Sequence, residues 1–182
     1  MTTPAIRLAE VGEVDRFMAE AKSLTDQLPQ WHDSHIQGRL TAQWPVIDSD
    51  GVMRESTRIV FVCKTDDVSR LSLSLLLRGN RIYGVDLVPA SESKMNGPGA
   101  ARLGLPSHVR GSHFHEWADN RDHALKAGLG SMPHRRPSPK LLTRLPHALA
   151  HLAQAINLTL TPEQASFDVP PLGTLPFRGG NE

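Results

Sequence analysis

A period of two, kept through four successive segments between Ile36 and Val88, limits what this chain can fold into. Polar and apolar residues alternate from Ile36 to Trp44, which sends them to opposite faces of an extended segment. Asp48-Ser49-Asp50-Gly51 is a turn signal, and a β-rich run follows over Thr57–Lys64. After Asp66-Asp67, the segment Leu71–Leu77 opens on a Leu/Ser alternation. Gly79-Asn80 supplies the positive φ values of a tight hairpin, and a fourth segment runs from Arg81 to Val88. Four strands joined by short connections predict an antiparallel meander with one face covered and the other partly open.

The covering layer must come from helices. Val11, Val14, Phe17, Met18, Ala21 and Leu24 recur at three- and four-residue steps, which predicts a helix over Ala9–Leu24. Asp119–Ala127 reads as a short helix closed by Gly128. A longer helix is expected to start at Ser138-Pro139, with Leu141, Leu142, Leu145, Leu149, Leu152 and Ile156 on its apolar face and a kink or a break into two helices at Pro146. Thr161-Pro162-Glu163-Gln164 has the pattern of a capping box. The fold class is therefore α+β: an N-terminal helix, a four-stranded antiparallel meander, and C-terminal helices packed on the sheet. A length of 182 residues suits one domain, expected over residues 1–167, with a Pro/Gly-rich tail over 168–182 that is extended or disordered.

Composition narrows the partners. Aromatic residues make up only 5% of the chain, so the core must be mostly aliphatic. A formal charge of +1, from 20 basic and 19 acidic residues, announces neither nucleic acid nor an anionic membrane. The single cysteine, Cys63, excludes an internal disulfide and a thiolate zinc site, and reads as a buried thiol in a reducing compartment. The first residues lack the apolar stretch of a signal peptide, and no apolar run approaches the ~20 residues needed to cross a bilayer. A cytoplasmic protein with no membrane partner is the expectation.

The chemistry-bearing segment is Gly111-Ser112-His113-Phe114-His115-Glu116-Trp117, which follows a long Gly/Pro-containing loop over Pro89–Arg110. On a strand, His113 and His115 point to the same face. Two neutral imidazoles can hold a divalent metal if a third ligand joins them, and Asp86, late in the fourth strand, is the candidate, with Glu116 and His123 as further options. The same pair can instead act as general acid and base without a metal. In that reading Arg121 stabilises charge growing on a phosphate, while Arg135, Arg136 and Arg144 hold the substrate backbone. The bland alternative is that both histidines simply bond to backbone or carboxylate groups at a sheet edge. His147 and His151 are four apart, but Ala148 stands where the zincin motif has glutamate, so a solvated helix face is expected.

Three functions are compatible with these residues. The element order resembles that of small bacterial ribonuclease toxins in architecture alone, which would imply a His-centred enzyme cleaving RNA phosphodiesters. A metal-dependent hydrolase would use His113, His115 and Asp86. A non-enzymatic adaptor, inhibitor or regulator would bind a protein through the sheet edge or open face. Sensitivity to a chelator separates the first two. The cofactor is thus either none or a divalent metal, the partner RNA or protein, and no residue pattern fixes the oligomeric state.

Overall fold

The computed structural model describes residues 4–138 and 142–170. Its elements in chain order are α1 (Pro4–Ala19), β1 (Ser23–Leu24), β2 (His32–Asp33), β3 (Arg39–Ile47), β4 (Met53–Lys64), β5 (Leu71–Leu77) and β6 (Asn80–Leu87). These are followed by β7 (Ser93–Met95), a 3-10 turn (Ala100–Leu103), β8 (His108–Arg110), β9 (His113–His115) and α2 (Trp117–Ala127). The chain then runs through β10 (Arg136–Pro137), α3 (Leu145–Ala155) and α4 (Pro162–Ala165).

The expected meander is present as β3-β4-β5-β6, antiparallel throughout. The sheet is nevertheless wider than the four strands expected. It has eight, in the order β1-β3-β4-β5-β6-β9-β10, with β2 also paired to β3. The four additions are two or three residues long. Segments that short carry too few alternations to announce a strand, and they form because the long strands offer unpaired backbone groups at their edges.

The sheet has two unlike faces. On one, Leu40, Ala42, Trp44, Ile59, Phe61, Leu73, Leu75, Val85 and Phe114 are buried in a single core with Val11, Val14 and Phe17 of α1 and Leu145, Leu149 and Leu152 of α3. On the other face, Thr41, Val60, Val62, Ser72, Ser74 and Asp86 are only partly covered. This asymmetry is the structural form of the Leu/Ser alternation in β5, whose residues read alternately buried and half-buried.

Several boundaries differ from expectation. The first helix spans Pro4–Ala19, because Lys22 leaves it to pair with the segment after α3, through Lys22 N–H to Asn157 O (2.9 Å) and Thr159 N–H to Lys22 O (2.9 Å). The Lys22 ammonium then donates to Met18 O (3.5 Å), Glu20 O (2.5 Å) and Ile156 O (2.8 Å), covering carbonyls at the ends of α1 and α3. Pro146 does not kink α3 but sits in its first turn, where the missing N–H costs nothing. The expected start at Ser138-Pro139 leads into residues 139–141, which lie outside the described residues. The stretch 89–110 is not a structureless loop, since it folds into the β7–β8 hairpin around the 3-10 turn. The capping box at Thr161 and Gln164 forms as expected.

Of the expected tail, residues 171–182 lie outside the described residues, whereas Val169 packs on the core. Just before it, Phe167 stacks on Trp31 (5.8 Å between centroids) and meets Trp44 and Phe61 edge-on at 5.3 Å each. Removing this ring should empty a site lined by three aromatic residues. We expect Phe167→Ala to cost about 3–5 kcal/mol in urea unfolding and to change the fluorescence of Trp31 and Trp44. Unaltered stability would mean that the C-terminal segment is not docked on the core.

Candidate metal centre in a basic cleft

The site is built by the pairing of β6 with β9, which sets Gly84 opposite His115 and Asp86 opposite His113. Directly opposed residues on antiparallel strands project to the same side, so both imidazoles and the carboxylate share the open face. β5 contributes Ser72, opposite Asp86, and its hydroxyl donates to Asp86 Oδ1.

Arg81 joins them because β6 is irregular. Residues 81 and 86 differ by an odd number and would lie on opposite faces of a regular strand. The register shifts between Leu75, paired with Tyr83, and Leu76, paired with Arg81, which leaves Ile82 as an extra residue. Ile82 and Tyr83 both turn inward, and Arg81 thereby comes to the open face. Its guanidinium lies over Gly84, where any Cβ would collide with it, and reaches Asp86 Oδ2 at 3.4 Å.

The hydrogen bonds of the two rings fix where their lone pairs point. His113 Nδ1 is 3.0 Å from Gly111 O, and His115 Nδ1 is 2.7 Å from Met132 O. A carbonyl oxygen only accepts, so both Nδ1 atoms carry hydrogen and donate. In a neutral ring Nε2 is then a lone pair, and both Nε2 atoms face the same carboxylate oxygen: His115 Nε2 is 3.2 Å and His113 Nε2 3.5 Å from Asp86 Oδ2. Acceptors gathered in this way repel one another unless each ring takes a second proton or a cation lies among them.

Protonation is the disfavoured solution. Burial pushes both imidazoles below their ordinary value, with Arg81 and Arg135 adding to the effect and Asp86 opposing it. Asp86 is held the other way. Burial alone would raise its carboxyl, but a hydrogen bond from His115 whenever that ring carries a second proton, the Arg81 charge and the Ser72 hydroxyl keep it well below the usual carboxylate range. Two neutral nitrogens and one carboxylate form a ligand set for a first-row divalent cation. One ligand atom from each residue lies within 4.8 Å of the others, and the carboxylate–imidazole separations approximate the ~3.3 Å between ligands of a tetrahedral ion with bonds near 2.0–2.1 Å. The Nδ1–H to carbonyl bonds are the kind of outer contact that orients metal-binding histidines.

The three residues lie in the wall of a cleft of about 440 Å³ on the open face. Arg39, Lys64, Arg70, Arg81, Lys94 and Arg135 line it, against Asp86 and Glu92 as the only carboxylates among the described residues. One wall is the β7–β8 hairpin. Asn96, buried at its end, donates to Pro106 O (2.7 Å) and Arg135 O (2.9 Å) and accepts from Arg135 N–H (2.6 Å), which ties the hairpin to the segment before β10. Gly97 allows that approach, since a Cβ there would lie 2.6 Å from Pro133 Cβ.

The structure thus brings His113, His115 and Asp86 together, and Arg135 with them. The other arginines singled out in the sequence stand elsewhere. Arg121 is held by Asp15 at 2.8–3.0 Å, an acid that also accepts from Trp117 Nε1–H, and so braces α2 against α1. Arg136 is paired with Asp119 (2.6 Å) and Glu116 (3.0 Å), and Arg144 with Asp168 (2.5 Å). Neither Glu116 nor His123 lines the cleft, and the His123 ring packs edge-on against His134. His151 is not on a solvated face, since its Nε2 lies 3.2 Å from the Tyr83 hydroxyl and its ring packs on Phe114. The residues that sequence reasoning missed are Arg39, Lys64, Arg70, Ser72, Arg81 and the hairpin's Lys94. For Arg39, Lys64 and Ser72 the signal was there, in the polar positions of alternating strands.

Comparison of the chain with protein-family models, with curated proteins and with solved structures gives no match, so geometry carries the functional argument.

The titration of the site has a definite sign. The folded imidazoles have pKa values below the ordinary 6.5, so below that pH the unfolded chain binds more protons than the folded one. Their contribution to stability is fully present above pH 6.5 and is lost as pH falls through the depressed folded values. We expect NMR titration of the metal-free protein to give midpoints below 6.5 for both rings, with Nδ1 protonated at pH 7.5. A midpoint above 6.5 for either ring would instead mean a resident imidazolium–carboxylate pair.

Proposed function

We propose that this protein is a divalent-metal-dependent hydrolase of anionic substrates, with Asp86, His113 and His115 holding the ion. The observation that carries this reading is the pair of Nδ1–H to carbonyl bonds that leave two imidazole lone pairs aimed at one carboxylate oxygen. Three protein ligands leave further coordination positions open, as catalytic rather than structural sites require. A bound ion supplies Lewis acidity toward a substrate oxygen and toward an attacking water. The chain's own contribution is to keep both ligating nitrogens unprotonated near neutral pH, to keep Asp86 ionised, and to surround the site with positive charge. In the overall reaction the water oxygen bonds to the ester centre, the ester bond breaks, and the leaving oxygen takes up a proton. On this reading Arg121, Arg136 and Arg144 are bracing residues.

The reading is tested first by binding. Calorimetric titration of the metal-free protein with Zn²⁺ and Mn²⁺ at pH 7.5 should show one site, and Asp86→Asn and His113→Ala should weaken it by at least on the order of 10–100-fold. Arg78→Ala, which alters a surface ion pair with Glu13, should leave it unchanged. Affinity should hold near neutral pH and fall in acid, as protons compete for the imidazoles. Wild-type protein that binds neither ion would refute the metal centre.

Activity supplies the second check. Hydrolysis of p-nitrophenyl esters of phosphate should disappear with EDTA and return with the added ion. Hydrolysis that survives EDTA and is lost in a folded His115→Ala variant would favour metal-free acid–base catalysis by the same pair.

A further inference from the structure

We propose that Arg39, Lys64 and Arg135 form a phosphate-binding subsite that presents a small phosphate ester, up to nucleotide size, to the Asp86–His113–His115 centre. This rests on the metal-centre reading for its purpose, but the subsite is defined by other residues. Among the described residues the cleft carries six Lys/Arg side chains and two carboxylates, a formal excess of four positive charges with neutral histidines. The excess is local, since the whole chain carries +1.

Within that set the cations divide by partner. Arg70 is paired with Asp67 and Glu92, Lys94 with Glu92 at 3.9 Å, and Arg81 with Asp86. Arg39, Lys64 and Arg135 have no carboxylate partner among the described residues. Arg39 and Lys64 are opposed across β3 and β4 and so project to the same side. Arg135 faces the cleft from another wall, fixed by its own bonds to Met95 O (2.7 Å) and Pro133 O (3.1 Å). Unpaired guanidinium and ammonium groups around one cavity suit the several acceptor oxygens of a phosphate better than a single carboxylate.

The size and lining of the cleft favour a small ligand over a polymer. A volume of about 440 Å³ lies in the range of small-molecule pockets. Among the described residues no Trp, Tyr or Phe lines it, whereas single-stranded nucleic acid is held through exposed aromatic rings on which bases stack. The aromatic residues of β3 and β4, Trp44 and Phe61, are buried on the opposite face.

The test is calorimetric titration of inorganic phosphate, pyrophosphate and AMP into metal-free and Zn²⁺-loaded protein. The variants are Arg39→Ala/Lys64→Ala, both at strand ends, and Arg135→Gln. We expect at least one of the three ligands to bind wild-type protein and to bind each variant about tenfold more weakly or worse, while Arg39→Ala/Lys64→Ala keeps the wild-type Zn²⁺ affinity. Added salt should weaken the binding. The proposal is overturned if Zn²⁺-loaded wild type binds none of the three, or if the variants bind as well as wild type. It is also overturned if an oligonucleotide binds more tightly than all three and ignores the substitutions. Phosphate binding by protein that takes up no metal would uphold the subsite and sink the metal centre alone.

Discussion

The pairing of β6 with β9 sets Asp86 opposite His113 and Gly84 opposite His115, and the candidate site depends on that register. A slip of one residue would send Asp86 to the core side and bring Val85 to the cleft. The register is held from the core side, where Val85 and Phe114 are paired and both buried. Hydrophobic burial on one face thus fixes the positions of polar groups on the other. Ser72 and Arg81 are held by the same sheet, the first by its place opposite Asp86 and the second by the extra residue at Ile82.

The electrostatics follow from that placement. Asp86 receives the Ser72 hydroxyl and the Arg81 guanidinium, and across the strand pair it faces the Nε2 lone pairs of the two rings. The positive charge nearby stabilises the carboxylate against its burial, while burial disfavours a second proton on either imidazole. The result is a set of neutral and negative ligand atoms surrounded by cations. The inner atoms suit a cation, and the outer shell suits an anion.

How much of this was legible in the sequence depended on repetition. The four long strands could be read because each is long enough to show an alternation or a β-rich run between turn signals. The two- and three-residue strands that widen the sheet could not, because nothing repeats in Ser23-Leu24 or Arg136-Pro137. Asp86, His113 and His115 could be read as a candidate set because H-x-H on a strand has one geometric meaning and Asp86 lies late in a neighbouring strand. Arg81 could not, because its face is set by a register shift that the local pattern does not mark. The grouping of Arg121 with the histidines failed for a related reason. Proximity in sequence placed it near them, but the helix that begins at Trp117 turns it toward Asp15, more than a hundred residues earlier. Helix boundaries were lost where tertiary pairing overrode local preference, as at Lys22.

The last strand of the sheet has a further consequence. Among the described residues, β9, which carries both histidines, is flanked on its outer side by Arg136 and Pro137, and the proline stands opposite His113. Proline has no amide hydrogen to offer a further strand, while the bonds to β9 run on through Ser138 N–H to Ser112 O (2.9 Å). A neighbouring molecule cannot readily continue the sheet past that point, and the strand that bears the reactive side chains is guarded from edge-to-edge aggregation by the residue that closes it.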